Sequence, residues 1–192
     1  MEVFTKGIDR LPDRPCAGAV ERDTVARALP SARKAVEKEV LSPDQFDWIM
    51  FTCSVTTSDG HMILGDVQPT MGSLDEWRDY FSGGKLEENA VEVSSGDVLI
   101  RTSSGYAAAY VPCTLSREAE SQRGEHKPIQ GLVVVADTLG RTRAKGTELA
   151  QVMGDFAYQL AVHVYKIGGC QQPRTFPDAL PPVASGEPVI EP

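Results

Sequence analysis

Apolar positions along this chain change period several times, and each change marks an element. From Ile129 to Asp137 the residues are apolar almost without a break, the pattern of a central strand covered on both faces. Just downstream, Leu149, Val152, Met153, Phe156, Ala157, Leu160, Ala161 and Val164 recur at steps of three and one, which predicts a helix over 147–167 with a broad buried stripe. A buried strand followed by a helix able to cover it sets the architecture of the last third. Earlier, 49–56 is rich in β-branched and aromatic residues, Asp59-Gly60 reads as a hairpin turn, and 61–64 as the return strand.

The remaining elements follow from start and stop signals. Residues 22–41 predict a helical region interrupted or kinked at Pro30, with Ala32, Ala35, Val36 and Val40 on its apolar face. Ser42-Pro43-Asp44-Gln45 reads as a capping box over a short turn at 43–48, with Leu41 and Phe46 as a hydrophobic staple. A second box, Ser73-Leu74-Asp75-Glu76, opens a helix to about Ser82, where Gly83-Gly84 ends it. Strands are expected at 90–93, 98–102 and 106–113. The polar stretch 114–127 is an excursion between neighbouring strands or a partner-binding loop. Hairpin-linked strands with terminal helices predict an α+β fold: an antiparallel sheet of five to six strands, its N- and C-terminal helices packed on one face.

The expected organisation is an irregular segment 1–21, one domain over 22–167, and a disordered tail 168–192 holding six of the chain's 13 prolines. With 192 residues the chain can bury a real core. A net charge of -8 disfavours a nucleic-acid partner, since phosphate neutralisation needs clustered cations. The densest basic stretch, Arg141-Thr142-Arg143-Ala144-Lys145, reads as a solvated turn. The start lacks the apolar core of a secretion signal, and no run approaches the roughly 20 residues of a spanning helix. The expectation is a cytoplasmic protein without a membrane partner.

Cys16, Cys53, Cys113 and Cys170 are scattered, and their spacing suggests neither a zinc frame nor a disulfide scaffold. Cys53 and Cys113 fall in apolar strand patterns and read as small core residues. A cysteine enzyme would need a base beside its thiol, for which Cys113 with His126 and Cys53 with His61 are the available pairs. Neither sits in a catalytic motif, and three dispersed histidines do not make a metal site. No catalytic residue, metal ligand or cofactor is therefore assigned.

Tyr106 to Cys113, Gly131 to Asp137 and Glu148 to Val164 resemble, in turn, the small-apolar-Val-Pro strand, the Gly-apolar-apolar-Val-Ala-Asp strand and the closing helix of GAF domains, in the wider PAS/GAF/profilin-like group. The Asn-Lys-Phe-Asp-Glu signature of cyclic-nucleotide-binding members is absent, no Cys-His pair suits bilin attachment, and the cysteine spacing differs from that of methionine-sulfoxide reductase members. The resemblance implies a regulatory or sensory module that binds a small molecule or a protein and dimerises through its terminal helices. An adaptor or assembly factor without a ligand is the alternative, and a cysteine enzyme the third. The implied pocket lies between the sheet and the middle segment, lined by Trp77, Tyr80, Arg101, Tyr106 and Tyr110, with Phe81 beside them. Arg101 is placed to hold an anion. The plainer alternative makes Trp77 and Phe81 core residues and Arg101 a strand-end cation.

Overall fold

This computed structural model describes residues 7–43, 49–82, 90–114 and 128–188. After a 3₁₀ turn at Ile8–Arg10 come α1 (Arg22–Ala28), β1 (Ala35–Pro43), β2 (Ile49–Thr57), β3 (Met62–Thr70) and α2 (Leu74–Tyr80). Then follow β4 (Val91–Ser95), β5 (Val98–Ser103), β6 (Tyr106–Pro112), β7 (Gly131–Leu139), α3 (Gly146–Ile167), a 3₁₀ turn at Val183–Ser185 and the two-residue β8 (Glu187–Pro188). Every strand pairing is antiparallel, in the order β1-β2-β3-β7-β6-β5-β4-β8. The α+β class and the antiparallel sheet are as expected. The strand number exceeds five to six, because β1 and β8 extend the two edges.

The β3–β7 ladder, from Met62↔Leu139 to Thr70↔Gly131, joins two meanders into one sheet. The expected apolar ribbon thus lies at the centre of the sheet, flanked by β3 and β6. Helix α3 covers it: Met153, Phe156, Leu160 and Val164 are fully buried in one core with Ile63, Ile100 and Val134. Gly65 on β3 makes room for this helix, since a Cβ there would collide with Leu160 and Phe156. Buried Thr102 adds a polar tie, its hydroxyl donating to the Ala150 carbonyl at 2.8 Å. Helix α1 packs on the same side, joined to α3 by Arg27–Asp155 at 2.8 Å.

On the opposite face lies α2, which opens with the expected capping box: Glu76 N–H donates to Ser73 Oγ, and Ser73 N–H to the Glu76 carboxylate. Trp77 and Phe81 press on Ala108, Tyr110 and Val133. The hairpin at Asp59-Gly60 also forms, with Gly60 at φ +80.

Three expectations are corrected. Helix α1 ends before Pro30, and residues 35–43 form an edge strand with a nine-residue register against β2 rather than a continued helix. The Ala/Glu/Lys-rich composition favours helix weakly, and a complete ladder of sheet hydrogen bonds outweighs it. Ser42 and Pro43 end that strand; the remainder of the expected turn at 43–48 lies outside the described residues, as do Gly83-Gly84 and 115–127. The described part of the expected disordered tail, 168–188, packs on the domain. Leu180 and Val183 are buried, and β8 pairs with β4. Its prolines prevent a regular ladder but not packing, because Tyr158, Tyr165 and Gly154 of α3 offer it hydroxyl donors and a shallow seat. Finally, all four cysteines pair, Cys16 with Cys53 and Cys113 with Cys170. Scattered spacing hid this, because separations of 37 and 57 residues are closed by the sheet and not by local sequence.

Candidate ligand cleft

The five residues expected to line a pocket do gather on one side, beneath and beside α2. The Trp77 ring lies 5.4 Å from Phe81 and 5.9 Å from Tyr110, and the Arg101 guanidinium sits 5.6 Å above it. Tyr106 packs against the same cluster, and Tyr80 stands at its rim, 68% exposed, with its ring on Phe81. What they form is a filled layer. Arg101 does not await an anion: its Nε donates to Glu92 at 2.7 Å and its guanidinium also donates to the Arg78 carbonyl. Tyr110 donates to the carbonyls of Gly72 and Gln130. Burial, reinforced by the charge on Asp137, pushes the Tyr106 phenol up to about 12, so it stays protonated.

Open space lies on the other side of the sheet, over the outer surface of α3. A cleft of about 530 Å³ has α3 as its floor, where Gln159, Val162, His163 and Lys166 recur at the spacing of one helix face. The same helix therefore turns one stripe to the sheet and another to this cleft.

The first wall is the segment from Arg14 to Glu21. Cys16, Ala17 and Gly18 all adopt left-handed backbone, at φ +58, +55 and +85. Two of them carry a Cβ, so the turn is strained and must be held from outside. The Cys16–Cys53 disulfide anchors it to β2, Glu37 of β1 accepts from Cys16 N–H, and Arg14 Nε closes it onto the Gly18 carbonyl at 3.0 Å.

The second wall is the tail, contributing Phe176, Pro177 and Asp178. It leaves α3 through Gly169 at φ +74 and is tied at once by Cys170–Cys113. Tyr165 and Tyr158 then donate to the carbonyls of Gln172 and Pro177, both at 2.6 Å. Arg174 adds an ion pair to Asp97 and a bond to the Tyr165 hydroxyl. Each wall therefore depends on one disulfide and a few polar ties.

Inside the cleft, His163 rests its ring 5.3 Å from Phe51. Burial lowers its pKa from the ordinary 6.5, and the charges of Arg14 and Lys166 lower it further. The group is a neutral imidazole at physiological pH, set among cations.

Sequence reasoning missed this site because both walls lie in segments read as irregular or disordered. The one available signal was the second, more polar stripe of α3. With the outer side of α3 taken up by α1 and the tail, its exposed large apolar residue is Ile167, which leaves little helix surface for the expected helix–helix dimer. The thiol chemistry considered for Cys53 and Cys113 is ruled out by their disulfides, and His126 lies outside the described residues. Among the described residues no group of His, Cys, Asp and Glu is placed to hold a metal. No described helix is long and apolar enough to cross a membrane. No family model, curated protein or solved structure matches this chain.

Proposed function

We propose that this chain is a regulatory or sensory module that holds a small molecule in the cleft over α3. One observation carries the reading: each wall of the cleft is fixed by its own disulfide, one of them bracing a strained left-handed turn. Backbone strain of this kind persists where surrounding structure over-determines it, and it clusters at ligand sites. The half-buried floor supplies both apolar contact and polar anchors, as small-molecule sites do. A ligand here would touch the N-terminal segment, α3 and the tail together, so occupancy would be felt at both termini. The resemblance to GAF domains implies a pocket under α2, whereas this cleft lies on the outer side of α3.

The disulfides also bear on compartment. Paired structural cysteines persist where the surroundings oxidise them, which favours a non-reducing environment over the cytoplasm. Mass spectrometry of alkylated native protein tests this: four thiols capped without prior reduction would return the chain to the cytoplasm.

An adaptor without a ligand is the second reading, and a different surface favours it. Val36, Val40, Met50 and Leu139 are exposed on the half of the sheet that α2 leaves uncovered. A thermal-shift screen against metabolites separates the two, since a ligand bound only by the folded state raises its melting temperature by mass action. Hits that vanish in Val162→Trp, which fills the floor, support the cleft. A screen without hits, or hits indifferent to that substitution, removes it.

A further inference from the structure

The cleft is polarised along α3. His163 and Lys166 sit at its C-terminal end, and Arg14 approaches from the first wall closely enough for its charge to act on His163. Among the described residues, neither Arg14 nor Lys166 makes an ion pair. Two carboxylates also line the cleft: Asp178, whose charge acts on Tyr158 more than a turn back from His163, and Glu21, whose backbone N–H donates to Gln159. Between the two ends lie Val162 and Phe176, both half-buried.

Resting on the reading that the cleft binds a small molecule, we propose that its ligand is an organic oxyanion. The charged group is held by Arg14, Lys166 and His163, and its apolar body lies across Val162 and Phe176. Arg14 and Lys166 are exposed cations on the lining of one concave cleft, both near enough to act on His163, so an anion held at His163 is attracted by both. Arg14 offers a planar fork for two oxygens and Lys166 a point charge. Neutral His163 can donate one further N–H. The cations recognise the oxyanion, while the apolar floor separates an organic acid from a bare inorganic ion.

Matched compounds test this on the full chain, with binding followed by calorimetry and by NMR shifts along α3. The probes are a panel of small aryl-alkyl carboxylates, each with its neutral amide, together with phenyl phosphate and inorganic phosphate. The carboxylates or the phosphate monoester should bind about tenfold tighter than the amides, and whichever does so identifies the oxyanion. Arg14→Gln and Lys166→Gln should each remove most of that preference and leave amide binding unchanged. Arg14→Lys, which keeps the charge, should retain part of it and guards against misfolding as the cause. If acids and amides bind alike and both are lost in Val162→Trp, the oxyanion inference is wrong while the cleft reading stands. If inorganic phosphate matches the organic acids, the apolar half is wrong. If no pair shifts α3 resonances, both readings fall.

Discussion

The two sides of the sheet carry similar materials to opposite ends. Under α2, aromatic rings and two carboxylate-bonded arginines are packed against one another: Arg101 on Glu92, Tyr110 on two carbonyls, Trp77 between Phe81 and Tyr110. Over α3, a histidine, a lysine and an arginine stand beside half-buried apolar groups with space between them. An aromatic, charged cluster is thus a poor guide to a binding site by itself. What makes a cleft is the pair of walls, and here the walls are two irregular segments, each tied to the sheet by a disulfide.

Cutting a wall loose should have the largest effect. Replacing Cys113 and Cys170 together with Ser removes a loop constraint of 57 residues, for which chain entropy predicts a loss of about 4 kcal/mol. The Cys16–Cys53 pair should cost slightly less because its loop is 37 residues. Urea unfolding measures both, and a loss under about 1 kcal/mol for either would mean that the wall holds without its disulfide. On the other side, Trp77→Ala should cost about 3 kcal/mol by opening a cavity in the α2 layer. It should nevertheless leave binding in the cleft within about twofold of the parent, because the sheet separates the two sites. A larger loss of affinity would show that they communicate.

Smaller changes sharpen the contrast. Ser73→Ala removes the α2 cap and should cost about 1 kcal/mol, again without touching the cleft. The smallest effect concerns pH. His163 holds its proton less tightly in the fold than in the unfolded chain. As pH falls through 6.5, the unfolded chain protonates first, so the His163 contribution to stability declines until its lower folded pKa is passed. Above that window it is constant. His163→Gln should flatten this part of the stability profile, and an unchanged slope would place the titration on another group. Glu21 and Asp178, which also line the cleft, are the groups to test next.

Much of the fold was legible in local pattern. The hairpin at Asp59-Gly60, the box at Ser73–Glu76, the apolar run of β7 and the stripe of α3 each express a rule of short range, and each is where the sequence places it. Residues 35–41 misled because an edge strand has no second neighbour to impose a clean alternation. Val36 and Val40 face solvent from a strand while keeping the spacing of a helix. The candidate cleft was legible only in part: Gln159, Val162, His163 and Lys166 share a helix face, but nothing local says what stands opposite.

Apart from β1 and β8, the secondary structure, the buried centre of the sheet and the face that α3 turns to it were determined by the order of residues alone. They depend on hydrogen bonds and burial between neighbours in sequence or along one ladder. The pairing of the cysteines, the seating of the proline-rich tail and the cleft between two chain ends were decided only in three dimensions. Each joins segments dozens of residues apart, and the cost of closing such loops is repaid by contacts that no local window contains.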